Sequence, residues 1–583
     1  MKELIEERLA SALDTLKTDG LVPADVTADI VVTRTRDPSH GDFASNLAMV
    51  LARPAGCAPR EIAAALVAAI GSDAAIHRID IAGPGFINFH LADDAQSAVI
   101  AEVLEAGETY GRSEVGAGTR VQVEFVSANP TGPLHVGHGR GAAIGATLGN
   151  ILAATGHEVQ REYYVNDAGR QMNILALSVW LRYLEQRGET LRFPDNGYRG
   201  DYIREIAAEL AAAYGDDLRR PAAEIFDGIP PDAADGGDKE VHVDALIERM
   251  RALVGDDYRL VFDTALANIL DDIKADLGEF GVHYDNWFSE RSLADAIPGV
   301  IAKLDAAGHL YEKDGVTWFR STAFGDDKDR AVIRANGQST YFASDIAYID
   351  NKLERGLDRI IYCFGADHHG YTTRLYAACE ALGHAREKLE FMLIQFAILY
   401  RGAERVQMST RSGSFVTIRE LRNEVGTDAA RWFYVMRKYS QHLDFDLELA
   451  ASQSSDNPVY YVQYAHARIC SVLRQLEQRG LAWNREAGLR SLARLVEPQE
   501  SELMTLLAYW PEVLERAALA REPHQVTGYL RDLANALHTF YNAHKVIVDD
   551  EALRDARLAL LLAVRQVLAN GLKLVGVSTP EVM

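Results

Sequence analysis

Cysteine is scarce in this chain, and the four that occur, Cys57, Cys363, Cys379 and Cys470, are scattered. No CxxC pair is present, so neither a zinc knuckle nor a disulfide framework is supported, and four reduced, mostly buried thiols are expected. No run of about 18 apolar residues passes without a charge, so no membrane-spanning segment is expected. Internal repeats and low-complexity tracts are absent too. The opening MKELIEERLASALDTL lacks the basic start and apolar centre of a signal peptide. It reads instead as an amphipathic helix, and a cytoplasmic protein is expected. Basic charge is also short: 60 Lys and Arg stand against 84 Asp and Glu, a formal net charge of −24. Taken alone this argues against general nucleic-acid binding, because phosphate contacts need cations. The deficit is uneven, however. From Pro458 onward 14 basic residues face 14 acidic ones, so the whole acidic excess precedes that point. Local basic strips can still bind RNA in an acidic protein.

What is present is an ordinary globular composition, 48% hydrophobic and 25% charged, in a chain of 583 residues. That length is too great for one core, so three domains are expected. Residues 1–115 alternate helical patterns (EERLASALDTL, PREIAAALVAAI) with short strands (IHRIDIAG, FINFHL), which predicts a small α+β domain. Its turn-rich words are SHGDFASNLA and GPGF, and a boundary follows in the glycine-rich GRSEVGAGTR at 111–120. Residues 116–455 read as an α/β domain. VQVEFVSA is a strand, and Ile144, Leu148, Ile151 and Leu152 recur at helical spacing before Thr155-Gly156. EVQREYYV is the next strand, which completes a βαβ unit and implies a parallel sheet of Rossmann type. DRIIYCFGADHHGY is a strand feeding a polar turn, and EFMLIQFAILY reads as one further strand. Residues 180–290 form an acidic helical insertion with an exposed loop, GIPPDAADGGDKE. Residues 456–583 carry no strand signal and predict an α-helical bundle.

The word NPTGPLHVGHGRGAAIG, residues 129–145, lies where the first strand of the βαβ unit meets its helix. Open α/β sheets bind ligands at that end of the strand. The helix N-terminus offers free N–H groups and a positive dipole end to phosphate. His135 and His138 add donors that can follow negative charge on a phosphoryl group, and Gly137 lets a flat base lie on the backbone. A nucleoside triphosphate, attacked at phosphorus, is the implied ligand. For HxGH alone, two histidines that merely cap a helix remain an equal reading.

The wider context supplies more. HVGH resembles the HIGH signature of class I aminoacyl-tRNA synthetases. SANPTGPLHVGHGRGAAIG, REYYVNDAGRQ, TYFASDIAY, GADHHGY, MSTRSGSFVTI and NPVYYVQYAHAR are similar, in order, to words of bacterial-type arginyl-tRNA synthetases. The resemblance spans the chain. It includes the added N-terminal domain, which it marks as tRNA-contacting, and the C-terminal helical domain, which it marks as anticodon-binding. It implies activation of L-arginine with ATP to arginyl-adenylate, then transfer to the terminal adenosine of tRNA(Arg). ATP with Mg²⁺ enters as substrate, no tightly bound cofactor or protein-held metal is implied, and a monomer is expected.

By the same resemblance His135, Gly137 and His138 carry the chemistry. ATP is met by Asn129, Pro130, His135, Val136, Gly137, His138 and Gly139, and by Met408, Ser409 and Thr410. Glu124, Tyr341 and Asp345 frame the guanidinium, for which carboxylates in fork geometry are suited. Asn129 and His138 sit toward the α-amino and carboxylate end. Asp367, His368 and His369 face the crevice, with Asp367 toward arginine. The second class I signature, KMSKS, is replaced by Gln407-Met408-Ser409-Thr410-Arg411-Ser412-Gly413. Neither lysine position holds lysine, nor does a lysine precede His135 in Thr131-Gly132-Pro133. Arg411 is therefore the candidate cation for the leaving pyrophosphate. Three rivals fit less well. A cysteinyl enzyme wants zinc ligands, and a glutamyl enzyme wants basic residues where Glu124 and Asp345 stand. A non-catalytic RNA-binding relative would be expected to have lost His135 or His138.

Overall fold

Ile5, Leu9, Leu13 and Leu16 turn one face of the helix Lys2–Thr18 inward. The structure, a computed structural model, describes residues 1–35, 37–406 and 416–583. In the N-terminal unit that helix shares a core with an antiparallel sheet ordered Val32–Arg34, Phe43–Ser45, Phe86–Leu91, Ile76–Ala82. The helices Leu47–Ala55 and Pro59–Ile70 complete it. The GPGF word is a tight hairpin against Pro59. A side chain at Gly85 would begin 2.9 Å from the Pro59 Cβ, so only glycine fits.

The second unit is built on five parallel strands, in the spatial order Leu389–Ile394, Arg359–Gly365, Arg120–Phe125, Glu158–Val165, Asn286–Ser289. Counted along the chain this is the 3-2-1-4-5 order of a doubly wound sheet. The order reverses beside Arg120–Phe125, and the crevice at the carboxyl ends of that strand and Arg359–Gly365 is where such sheets hold ligands. The helix Val136–Ala154 lies close on the sheet because Gly145 carries no side chain. A Cβ there would stand 2.3 Å from the Phe125 ring. Helices Arg170–Gln186, Asp201–Tyr214, Lys239–Val254 and Asp257–Glu279 fill the region between the second and third strands.

Two features depart from the sequence reading. EFMLIQFAILY is not one strand. Leu389–Ile394 belongs to the parallel sheet, while Ala397–Arg401 pairs with Glu404–Arg405 and Leu443–Asp446 in a separate sheet. The break falls at Gln395, whose carbonyl accepts from the buried Arg140 guanidinium at 2.6 Å. A further small sheet, Leu310–Lys313, Val316–Phe319 and Arg330–Ile333, has strands of four residues that gave no periodic signal.

The third unit packs the helices Pro458–Gln478, Pro498–Ala520, His524–Ala543 and Glu551–Val575. Among the described residues Glu551–Val575 is the one helix long and apolar enough, by length and composition, to cross a membrane. It is interrupted by Arg565 and Lys573 and forms the centre of this bundle, with Leu558, Leu561, Val564, Leu568 and Leu572 buried. The helix Asp93–Ala106 shares this larger core through Val99, Ile100 and Val103, not the N-terminal one. Tyr110 continues the junction, its hydroxyl donating to the Leu507 carbonyl and its own carbonyl accepting from the Trp510 indole. Cys363, Cys379 and Cys470 are buried, Cys57 partly, and all four are free thiols.

Candidate functional site

The HVGH turn sits at the switch point of the sheet. The chain leaves Phe125 through Val126 and Ser127, both at positive φ (68° and 41°). For a β-branched residue that conformation is costly. It is held by Tyr284, which donates to the Phe125 carbonyl, and Tyr163, which donates to the Ala128 carbonyl, each at 3.0 Å. His135 then caps the helix. Its Nδ1 accepts from the Gly137 N–H at 3.1 Å, and His138 Nδ1 accepts from the His135 N–H at 3.3 Å. With both Nδ1 atoms accepting, each neutral ring carries its proton on Nε2. The rings stack with centroids 3.8 Å apart. Burial lowers the pKa of His135. Burial, then the neighbouring His135, lowers that of His138 to about 3. A side chain at Gly137 would begin 2.8 Å from the His135 ring, so glycine is needed for this cap.

Here the sequence expectation needs correcting. The first N–H groups of the helix are not free for phosphate. Val136 N donates to the Val416 carbonyl at 3.0 Å, Gly137 N to His135 Nδ1, and His138 N to the His135 carbonyl at 2.9 Å. The helix dipole remains. Val136 is fully buried and Pro130 is buried, so neither offers a side chain to ATP. Gly139 is buried as well, and a Cβ there would stand 2.9 Å from the Tyr434 ring. Packing explains that glycine.

The second cluster is acidic. Asp345, on the first turns of the helix Tyr341–Glu354, accepts from the Tyr371 hydroxyl. Burial raises its pKa to about 6, against the lowering effect of that bond, and Glu124 pushes in the same direction. Glu290 follows the strand Asn286–Ser289 and is buried. Burial, then Asp345 and Asp167, raise its pKa to about 7. Its Oε2 is buried with no hydrogen-bond partner among the described residues. Asp167 is already matched: Arg291 Nε reaches it at 2.9 Å and the Ser289 hydroxyl at 2.6 Å. Half-buried Asp345 and buried Glu290 have no ion-pair partner among the described residues, although Arg374 lowers the pKa of Asp345, and two carboxylates in one another's field suit a cation.

Glu124, expected at the guanidinium, is paired within the chain. It is buried, and its Oε2 accepts from Lys352 Nζ at 2.5 Å and its Oε1 from the Ser127 hydroxyl at 3.1 Å. Lys352 is fully buried between the Tyr348 and Tyr362 rings, 4.1 Å from each centroid. A buried lone charge demands a partner, and the chain supplies its own. Tyr341 is 54% exposed at the start of its helix, with its hydroxyl 3.5 Å from the Arg170 N–H. Asn129 is exposed. Asp367, His368 and His369 are exposed on the turn after Arg359–Gly365. Asp367 lies 3.7 Å from His368, and Tyr371 is the residue of that turn that reaches Asp345. Met408, Ser409, Thr410 and Arg411 lie outside the described residues. Val416 and Thr417, which are described, pair with the HVGH turn, Thr417 opposite His135. Sequence reasoning missed Glu290 and Tyr371. Tyr371 stood inside a quoted word. Glu290 follows a strand, NWFS, whose half-buried pattern gives no alternation to read. No group of three or more His, Cys, Asp or Glu side chains is placed to hold a metal ion among the described residues.

Comparison with known proteins agrees over the whole chain. Residues 1–91 match the arginyl tRNA synthetase N terminal domain. Residues 99–195 and 254–450 match the catalytic domain of tRNA synthetases class I (R), and residues 462–583 the DALR anticodon binding domain. The arginine–tRNA ligase of Thioalkalivibrio sulfidiphilus (strain HL-EbGR7) is 61% identical over 586 residues, covering both chains completely. That of Legionella pneumophila (strain Paris) is 57% identical with the same coverage. Among solved structures the arginyl-tRNA synthetase of Thermus thermophilus superposes with a TM-score of 0.74 over all of both chains. At 23% identity it speaks for the fold alone.

Proposed function

The chain belongs to the class I arginyl-tRNA synthetases, and from that premise we propose how its residues divide the work. It is an arginine–tRNA ligase. An arginine carboxylate oxygen attacks the α-phosphorus of ATP, the bond to the bridging β-oxygen breaks, and pyrophosphate leaves. A ribose hydroxyl of the terminal adenosine of tRNA then attacks the carbonyl carbon of the adenylate. AMP leaves, and the hydroxyl proton passes to phosphate or water.

In our reading Asp345 and Glu290 together take the guanidinium, and Tyr341 and Asn129 close the rim over the substrate. Glu124 acts at one remove, through Lys352 and the shared field of the pocket. His135 and His138 donate from Nε2 to the phosphate as negative charge develops. Their lowered pKa values keep them neutral, so they serve as hydrogen-bond donors and not as proton carriers. Catalysis is then positioning and electrostatics. Arg411 is proposed for the pyrophosphate as the cation of the word that stands in place of the second signature; the described residues that follow, Val416–Ile418, pair with Leu134–Val136. Mg²⁺ comes as part of the ATP substrate. The helical unit is proposed to hold the anticodon arm of tRNA(Arg), and a cytoplasmic monomer is proposed as the working state.

The observation that carries this assignment is half-buried Asp345 in the field of buried Glu290, neither of them in an ion pair among the described residues. ATP–pyrophosphate exchange with each amino acid in turn, with and without tRNA, tests it. Arginine alone should support exchange. Lysine keeps the charge but lacks the planar fork and should be rejected. Exchange with lysine at a comparable rate would remove the assignment of the pocket.

A further inference from the structure

Behind the HVGH turn lies the helix Thr427–Val435, and its Tyr434 is fully buried. We propose that Tyr434 is a positioning residue that orients His135 through the peptide between Val136 and Gly137. The Tyr434 hydroxyl donates to the Val136 carbonyl at 2.9 Å. That carbonyl and the Gly137 N–H belong to one planar peptide unit. The Gly137 N–H in turn donates to His135 Nδ1. Fixing the carbonyl therefore fixes the direction of the N–H. The N–H fixes both the plane of the His135 ring and the nitrogen that carries its proton.

Tyr434 can act this way because its own helix is held at both ends. Arg140, on the HVGH helix, reaches back to the carbonyls of Lys438 at 3.1 Å, Gln441 at 2.7 Å and Gln395 at 2.6 Å. Arg431 is fully buried and donates to the carbonyls of Val575 at 2.7 Å, Phe280 at 3.0 Å and Gly281 at 3.2 Å. Asp428 accepts from Ser578, at its N–H and its hydroxyl, and from Gln463 Nε2 at 2.8 Å. The glycines on either side fit this purpose. A Cβ at Gly139 would meet the Tyr434 ring, and one at Gly576 would stand 2.4 Å from Arg431 Nε. The helix thus joins the catalytic turn to the last residues of the helical unit by bonds that leave it little freedom.

The inference rests on the assignment of His135 to the phosphate, and a double-mutant cycle separates the two. Tyr434→Phe removes one hydroxyl and no ring. In the otherwise native enzyme it should lower kcat of ATP–pyrophosphate exchange by about tenfold, the scale of one lost hydrogen bond. The KM values for arginine and ATP should stay within about twofold. In a His135→Asn background, measured under single-turnover conditions, the same substitution should cost less than about twofold. An equal loss in both backgrounds, or no loss in the native one, overturns the proposal. A fully active His135→Asn enzyme instead overturns the assignment of His135. The ¹⁵N resonance of His135 Nδ1, assigned by its absence in His135→Asn, gives a second reading that does not need activity. It should shift in Tyr434→Phe, and an unmoved resonance also overturns the proposal.

Discussion

At the scale of single residues the acidic pocket makes a statement about pH. The Asp345 carboxyl, ordinarily near 3.8, is raised to about 6, and that of Glu290, ordinarily near 4.5, to about 7. They interact, so the two steps belong to the pair. A raised folded-state pKa means that protonation favours the fold. The free enzyme should therefore lose stability as pH rises from the unfolded carboxyl values, about 4, through about 7. Arginine reverses the sign, because its guanidinium pairs with the ionised forms. Its affinity, measured by calorimetry, should rise on the order of tenfold between about pH 5.5 and 7.5, with protons released on binding near pH 6. Citrulline, neutral and similar in shape, should show neither effect, and Glu290→Gln should remove the upper part of the profile. Arginine binding that ignores pH over this range would mean that the pair does not meet the guanidinium. Residue identity was legible in part. Asp345 and Tyr341 stood in a word with helical spacing, and the stacked histidines stood in another. Glu124 was legible as a charge in an otherwise apolar strand, but its partner was not. Lys352 comes 228 residues later, and nothing local in either segment announces the pair.

At the scale of elements, the helix Tyr341–Glu354 explains why the pocket can hold so many acids. Thr340 caps it, accepting from the Ala343 N–H, and Asp345, Tyr348 and Lys352 follow at spacings of three and four. One stripe thus carries an acid into the pocket and a cation beneath it. Lys352 answers Glu124, while the Tyr348 hydroxyl and Arg355, at the end of the helix, answer the buried Glu162. Lys352→Met would leave Glu124 buried without a charged partner and should cost about 3–5 kcal/mol of stability by chemical denaturation. Adding Glu124→Gln removes the orphaned charge and should return part of that loss. A double mutant as unstable as the two single losses added would mean that the charges do not pair. This helix was readable because its spacing repeats. The strands of four residues and the split in EFMLIQFAILY were not, since they depend on partners remote in sequence, such as Arg140 beneath Gln395.

At the scale of the whole molecule, the charge distribution sets how RNA can be held. A chain of net charge −24 repels tRNA at long range, and the helical unit that balances its charges does not attract it strongly either. Binding there should draw on local stacking. On the helix Pro458–Gln478 the Tyr460 and Tyr464 rings stack at 6.2 Å, both partly exposed. The Arg468 guanidinium is fixed between Tyr464, at 4.7 Å, and Tyr541, at 4.6 Å, and bonds His538 Nδ1 at 3.0 Å. Aromatic rings steadied by an arginine are a platform for unstacked bases, as an anticodon loop presents. Removing a ring from such a platform typically costs about 1–3 kcal/mol per base. Tyr464→Ala should therefore weaken tRNA(Arg) binding by roughly that amount. It should leave the slope of log Kd against log salt nearly unchanged, since no phosphate contact is lost. Filter binding at several salt concentrations reads both quantities, and a preserved melting temperature shows that the bundle is intact. If affinity is unaffected, the anticodon arm lies elsewhere on the unit. If the slope falls by about one, this face grips phosphate and not bases.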